Sequence, residues 1–319
     1  MNTLPSLFFK NTSIYQNKTL FGFKDGKSWK SISWNKSSEF VQNIALGLHE
    51  IGVKKSDKIT LIAENSYKWC VVDLSIMSLG AIPVRGYITI NEEEIFYLLS
   101  HSDSSFVFVN ATLLPFILKM LPKLKKIKYV IYIDDNSKDD LKQNPQLYNY
   151  NQLLEMGNKS NLHDKFLETF VNKINQDDVV SLIYTSGTSS NPKAVMLTNK
   201  STISNLLGAY ELVKDIDIKE HRFLSIIPLS HAYEHTAGFL LPVYIGAEIY
   251  FNDNRDKIVN DLQSVRPTLM IAVPRLYEVL FKKINNQLLT QNKLAQKLFF
   301  KTIELGTKDF QCSKLTFFE

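Results

Sequence analysis

Lys58-Ile-Thr-Leu-Ile-Ala63 is followed by Tyr67-Lys-Trp-Cys-Val-Val-Asp-Leu-Ser-Ile-Met-Ser-Leu79, then Gly80, then Ile82-Pro-Val84. The first run is short, apolar and β-branched, as a buried strand is. The second is too long for a strand and ends at a glycine, which suits the left-handed stop of a helix. The third is again a strand. Two strands separated by a helix of that length imply parallel pairing, because parallel neighbours need such a crossover and antiparallel ones do not.

The same alternation extends in both directions. Upstream, Ser38 to Ile51 places Val41, Ile44, Leu48 and Ile51 on one helical face, with Gly52 after it. Downstream, Asn91 with Glu94 three residues later is a helix-start signature ahead of Ile95, Leu98 and Leu99. Phe106 to Val109 and Tyr129 to Ile133 have strand length, with a helix between them. From Asp134 to about Asp177 the chain turns polar, which predicts a surface excursion with one or two short helices and a subdomain boundary. Alternation then resumes: strands at Val179–Thr185, Phe223–Ile227, Glu248–Phe251 and Thr268–Val273, helices at Asn199–Val213 and Asp256–Val265, and a helical, amphipathic last fifty residues or so. The pattern predicts an α/β protein with doubly wound, largely parallel sheets. Residues 1–176 are expected to form a first subdomain and 177–319 a second, stacked on it and incomplete at its C-terminal end.

Composition narrows the function. A formal net charge of +5 over 319 residues suits an anionic substrate and makes no case for nucleic acid. The basic run Lys119, Lys123, Lys125, Lys126 and Lys128 is followed by Asp134, Asp135, Asp139 and Asp140, so it reads as a solvated surface of both signs. Cys70 and Cys312 are too few and too far apart for a disulfide framework or a metal site, in keeping with a reducing cytoplasm. No signal-peptide pattern opens the chain, and Ala237 to Ala247 is too short to span a bilayer. A cytoplasmic protein is expected, with peripheral membrane contact and oligomeric state left open.

The chemistry is concentrated in Tyr184-Thr-Ser-Gly-Thr-Ser-Ser-Asn-Pro-Lys193-Ala-Val-Met-Leu-Thr-Asn199. A buried strand opens here into a hydroxyl-rich loop. Its backbone N–H groups, the hydroxyls of Thr185, Ser186, Thr188 and Ser189, and the Lys193 ammonium are the donors that phosphate oxygens need. No second glycine precedes the lysine and Ala194 follows it, so this is not a Walker loop. His231 and His235 stand four apart and could share a helical face, as metal ligands do, but the spacing places no third ligand.

The stretch from Tyr184 to Asn199 resembles the phosphate-binding signature of the adenylate-forming (AMP-binding) superfamily. Pro228-Leu-Ser-His231-Ala-Tyr-Glu-His235-Thr-Ala-Gly238 and Val273-Pro-Arg275-Leu-Tyr-Glu278-Val-Leu-Phe-Lys-Lys-Ile284 resemble the segments that follow it in long-chain fatty-acid acyl-CoA synthetases. The resemblance implies a ligase: ATP activates a fatty acid as acyl-adenylate, and coenzyme A then displaces AMP. It implies that Thr185, Ser186, Gly187, Thr188, Ser189 and Lys193 hold the β- and γ-phosphates, with Mg²⁺ near Thr185. His231 would be the catalytic residue beside the reacting carboxyl. Tyr233, Glu234 and His235 would touch substrate, plain core being the alternative, while Arg275 is expected to pair with Glu278.

Three positions depart from the family string: Ser190 and Ala194 replace glycines, and Asn199 a frequent histidine. A β-carbon at 190 or 194 is expected to weaken nucleotide handling if the backbone there needs positive φ. The later motifs, for adenine, ribose, a Mg²⁺-binding glutamate and a catalytic lysine, have no copy before Glu319. The chain by itself is therefore expected to be a poor catalyst or none. An aryl-acid synthetase and a non-catalytic acyl- or nucleotide-binding remnant are the competing readings.

Overall fold

The computed structural model describes residues 3–26, 28–134, 144–185, 192–216, 220–252 and 257–316. In chain order the elements are α1 (Leu4–Tyr15), β1 (Thr19–Asp25), β2 (Ser28–Ser33), α2 (Trp34–Glu50), β3 (Lys58–Ile62), α3 (Tyr67–Ser78), β4 (Ile82–Arg85), α4 (Glu92–His101), β5 (Phe106–Val109), α5 (Leu114–Met120), β6 (Tyr129–Tyr132), β7 (Leu147–Asn149), α6 (Tyr150–Asn158), α7 (Phe166–Thr169), β8 (Val179–Thr185), β9 (Lys193–Thr198), α8 (Asn199–Glu211), β10 (Arg222–Ser225), a π-helical segment (Glu234–Leu240), α9 (Leu241–Ile245), β11 (Glu248–Phe251) and α10 (Ile258–Val265). The strand–helix–strand unit at Lys58 forms as expected, with β3 and β4 parallel and Lys58 opposite Ile82.

β3 is the pivot of a seven-stranded sheet of order β7-β6-β5-β3-β4-β8-β9. The chain leaves β3 to build β4 on one side, then crosses back to build β5 on the other. Such a reversal opens a crevice outside the carboxyl ends of the strands. All neighbours are parallel except the β8/β9 pair. All four residues of β5 are buried because both sheet faces are covered: Phe106 and Phe108 enter one apolar core, Val107 and Val109 the other.

A second sheet has the order β10-β11-β1-β2, in which β1 pairs parallel with β11 and antiparallel with β2. The sheets are thus not divided at residue 176. Strands β1 and β2, from the first 33 residues, share a sheet with β10 and β11, while β8 and β9 join the sheet of β3 to β7. Compactness groups residues up to Ile271 together. Periodicity identifies a strand but carries no information about its hydrogen-bond partner.

Two other expectations are corrected. The polar stretch after Asp134 is not all surface, because β7 extends the large sheet beside β6 and α6 packs on α2. A Cβ at Gly157 would lie 1.8 Å from the Asn43 carbonyl oxygen, and one at Gly47 would lie 2.3 Å from that of Leu153. The helices meet backbone to backbone, and only glycine permits it. The strand expected at Thr268–Val273 reduces to a single bridge between Leu269 and Phe223 on β10.

Sequence periodicity also passed over α1. Thr3 caps it, Pro5 begins its first turn, and Phe8 is fully buried against the Trp34 ring at 5.9 Å. Asn11 ties α1 to α9 by donating to the carbonyls of Val243 (2.7 Å) and Tyr244 (3.0 Å).

The remaining unit, Ala272–Glu319, contains α11 (Pro274–Leu289) and α12 (Lys293–Thr316). On α11 the Arg275 guanidinium donates to Glu278 at 2.8 Å, both exposed, as the sequence suggested. Among the described residues no helix is long and apolar enough to cross a membrane.

Candidate functional site

Strands β8 and β9 form the stems of the hydroxyl-rich stretch. Their antiparallel register sets Thr185 opposite Lys193 and Tyr184 opposite Ala194. Ser186, Gly187, Thr188, Ser189 and Ser190 lie outside the described residues. Thr185 and Lys193 are exposed, and among the described residues Lys193 forms no ion pair. A hydroxyl and an ammonium therefore flank the mouth of the stretch, which suits an anionic ligand such as a polyphosphate.

Both stems are held from α4. The Tyr97 hydroxyl donates to the carbonyl of Pro192 (3.0 Å), while the Tyr184 hydroxyl and His101 Nδ1 are 2.9 Å apart. The rings of Tyr97 and His101 stack at 5.0 Å. Burial, helped by neighbouring Tyr97 and Asp103, pushes the Tyr184 phenol up to about 12, so it stays protonated. Ala194 lies in the ladder with ordinary strand geometry and packs half-buried on the sheet core. The backbone does not demand glycine there. Asn199, fully buried at the start of α8, accepts the Leu4 N–H at 3.0 Å and donates to the Asn175 carbonyl at 3.3 Å. It serves to anchor the amino-terminal helix.

The segment after β10 carries His231. Its N–H closes a turn onto the Pro228 carbonyl (2.9 Å), and the exposed imidazole lies 5.3 Å from the ring of Tyr87, just beyond β4. His231 thus sits at the carboxyl end of a central strand, where the sheet topology opens its crevice. Tyr233 is 55% exposed.

Glu234 and His235 turn the other way, into the interior. His235 Nε2 is 2.9 Å from Asp73 Oδ2 on α3, and Arg85 clamps the same carboxylate through Nε (2.8 Å) and Nη2 (3.0 Å) while reaching Ser181 through Nη1. Burial would raise the Asp73 carboxyl, but the charge of Arg85 and the contacts with His235 outweigh it and hold Asp73 below its ordinary value. Burial and the Arg85 charge press His235 downward against the pull of Asp73. The consistent state is a carboxylate accepting from Arg85⁺ and from the Nε2–H of a neutral imidazole. His231 is exposed whereas His235 is buried against Asp73, so the two side chains lie in different surroundings. Among the described residues no group of three or more His, Cys, Asp or Glu could hold a metal.

Glu234 is 1% exposed and accepts from the Ser225 hydroxyl at Oε1 (2.7 Å), whereas Oε2 has no partner. Burial lifts its carboxyl from 4.5 to about 8, with the Ser225 hydroxyl and the Ile226 N–H pulling the other way. It is therefore largely protonated at neutral pH. A Cβ at Gly238 would lie 2.6 Å from that carboxyl, so the glycine leaves it room inside the π-helical turn. Inserted π turns occur frequently at functional sites.

Sequence reasoning missed Asp73 and Arg85, although a charge inside each of two otherwise apolar elements was the available signal. For Tyr97 and for Asn65, which holds the His231 segment, no local signal exists.

Comparison with known proteins fits this geometry. The family model described as AMP-binding enzyme matches residues 8–309. The chain is 26% identical over 314 residues to a Mus musculus protein named Long-chain-fatty-acid–CoA ligase ACSBG2, covering 96% of this chain and 46% of that protein. A Saccharomyces cerevisiae protein named Long-chain-fatty-acid–CoA ligase 1 is 27% identical over 297 residues, covering 84% of this chain and 42% of that one. The chain thus spans less than half the length of these relatives. Among solved structures, a long-chain-fatty-acid-CoA ligase from Archaeoglobus fulgidus superposes with a TM-score of 0.73 at 20% identity, covering 91% of this chain and 55% of that one. Coronafacic acid ligase from Pectobacterium brasiliense gives 0.75 at 17% identity, covering 91% and 53%. At such identities these likenesses show the fold alone.

Proposed function

The chain belongs to the AMP-binding enzyme family, and from that premise we propose that its protein activates a long-chain fatty acid with ATP and transfers it to coenzyme A. In the first step a fatty-acid carboxylate oxygen bonds to the α-phosphorus and the bond to the β-phosphate bridge breaks, releasing pyrophosphate. In the second the thiol, losing its proton, adds to the acyl carbonyl and AMP leaves. The observation that carries this reading is the register setting Thr185 opposite Lys193 at the open end of the hydroxyl-rich stretch. Ser186, Gly187, Thr188 and Ser189 would add donors around the β- and γ-phosphates. Mg²⁺ bound to those phosphates, near Thr185, would supply further charge neutralisation.

The protein's task in the first step is to place and neutralise phosphate charge, which fixed donors do well in a site that excludes water. His231, exposed beside Tyr87, is assigned to the reacting carboxyl, with Tyr233 the remaining exposed candidate for acyl contact. Glu234 and His235 are assigned to the frame behind them. Long-chain acids are favoured over other acids by the names of the relatives with 26% and 27% identity. The test is pyrophosphate exchange by the complete protein against fatty acids of graded length and against aryl acids. Exchange that rises with chain length and falls at least about 100-fold in Lys193→Ala is expected, as for loss of a charged contact worth about 3 kcal/mol. Exchange driven only by aryl acids would replace the substrate class. Saturable acyl binding with no exchange would replace the enzyme by a binding protein.

A further inference from the structure

The backbone from Ile226 to Leu229 leaves β10 and belongs to no sheet, yet it must present His231 at a fixed place. Its side-chain hydrogen bonds come from the turn that follows β3, a strand of the other sheet. Asn65, three residues past the end of β3, accepts the Leu229 N–H at Oδ1 (2.8 Å) and donates from Nδ2 to the Ile227 carbonyl (2.6 Å) and the Ser225 hydroxyl (3.1 Å). The same Ser225 hydroxyl donates to Glu234 (2.7 Å). One carboxamide thus holds the chain two residues before His231 and, through Ser225, three residues after it. β3 and β10 lie in different sheets, so these bonds span from one sheet to the other. On the far flank the His235–Asp73 contact pins the π-helical segment to α3.

We infer that Asn65 is the positioning residue of His231, fixing its imidazole against Tyr87 at the carboxyl end of β4. The side chain acts as a substitute strand neighbour: it satisfies a backbone donor and a backbone acceptor that the loop could not otherwise pair. An aspartate would keep the acceptor but lose both donations, and an alanine would lose all three. The consequence for catalysis rests on the proposed role of His231, whereas the positioning itself does not.

The experiment uses the full 319-residue chain with ring-labelled histidine, the His231 resonance being assigned through His231→Gln. In Asn65→Ala the His231 resonance should shift or broaden, and the amides of Leu229 and His231 should exchange ~10-fold faster or more, because the bonds that hold the segment are lost. The resonances of His49, His163 and His221 should not move. Asn65→Asp keeps the side-chain shape and covers the case in which the alanine variant fails to fold; it should show the same displacement of His231. Asn149→Ala is the control, because that carboxamide caps α6 and reaches Tyr132 and, among the described residues, makes no contact with Asn65, its neighbours or the His231 segment. An unmoved His231 signal in a folded Asn65 variant, or an equal displacement in Asn149→Ala, overturns the inference. In the complete protein, Asn65→Asp should lower kcat about 10-fold or more with KM for ATP unchanged. Unaltered kinetics beside a displaced His231 resonance would uphold the positioning and overturn the role of His231 in the reaction.

Discussion

Replacing Glu234 by glutamine should make the protein more stable, by an amount that grows with pH. In the folded state burial holds this carboxyl protonated up to about 8, whereas in the unfolded chain it ionises near 4.5. A carboxyl whose folded pKa is raised favours the fold fully only below its unfolded pKa. That advantage is lost as pH rises toward the folded value, at about 1.4 kcal/mol per pH unit. The cost to the parent is thus about 3 kcal/mol at pH 7 and approaches about 5 kcal/mol above pH 8. Glutamine carries no such cost. Its amide oxygen can still accept from Ser225, and its nitrogen takes the place of Oε2, which has no partner in the parent either, so that penalty cancels. Urea unfolding of both proteins at about pH 5, 7 and 8.5 measures the difference. The two should nearly coincide at the lowest pH and separate in favour of Glu234→Gln as pH rises. A gap that stays constant across the series would show that Glu234 is ionised in the fold, and would remove the account of its burial given above.

Other outcomes follow from single contacts. Gly157→Ala places a Cβ 1.8 Å from the Asn43 carbonyl oxygen, so α2 and α6 must separate; a loss of about 3 kcal/mol or more is expected in thermal unfolding. Asn199→Ala removes the acceptor of the buried Leu4 N–H and should cost about 1–3 kcal/mol, seen as faster exchange of the α1 amides and earlier proteolysis of that helix. Ala194→Gly should not improve nucleotide binding, since the residue sits in a regular ladder. It should instead lower stability by about 0.5–1 kcal/mol through backbone entropy, and a rise in ATP affinity would show that a β-carbon at 194 does hinder the ligand.

Much of the large sheet was legible in the chain. Strands β5 and β8 of that sheet, and β11 of the second, fall on the expected residues, because each is a short, mostly apolar run between helices and turns, and β5 is buried on both faces. The Asn91 capping box is present as read, with Asn91 and Glu94 bonded reciprocally. The Thr268–Val273 strand failed for a physical reason: an apolar run becomes a strand only where a neighbour offers a ladder, and here one residue finds it. The hairpin of β1 and β2 was hidden for the same cause. Its residues are not strongly periodic, and they become a sheet by pairing with β11, more than two hundred residues away.

For the candidate site, the string at Tyr184–Asn199 stood out through its clustered hydroxyls and lysine, and His231 through the resemblance of Pro228–Gly238 to a family segment. Which way each side chain points was not legible. His231 and His235 are one helical turn apart in the chain, yet the first is exposed beside Tyr87 while the second is buried against Asp73. Glu234 looks like a surface charge in the string and is a protonated core residue in the fold. The sequence by itself determined the parallel α/β architecture, since it is written in short-range patterns of apolarity. Only the tertiary structure decided which polar residues form the inner frame and that Asn65 holds the His231 segment. Burial and hydrogen-bond partnership depend on which distant strands meet, and no local pattern encodes that.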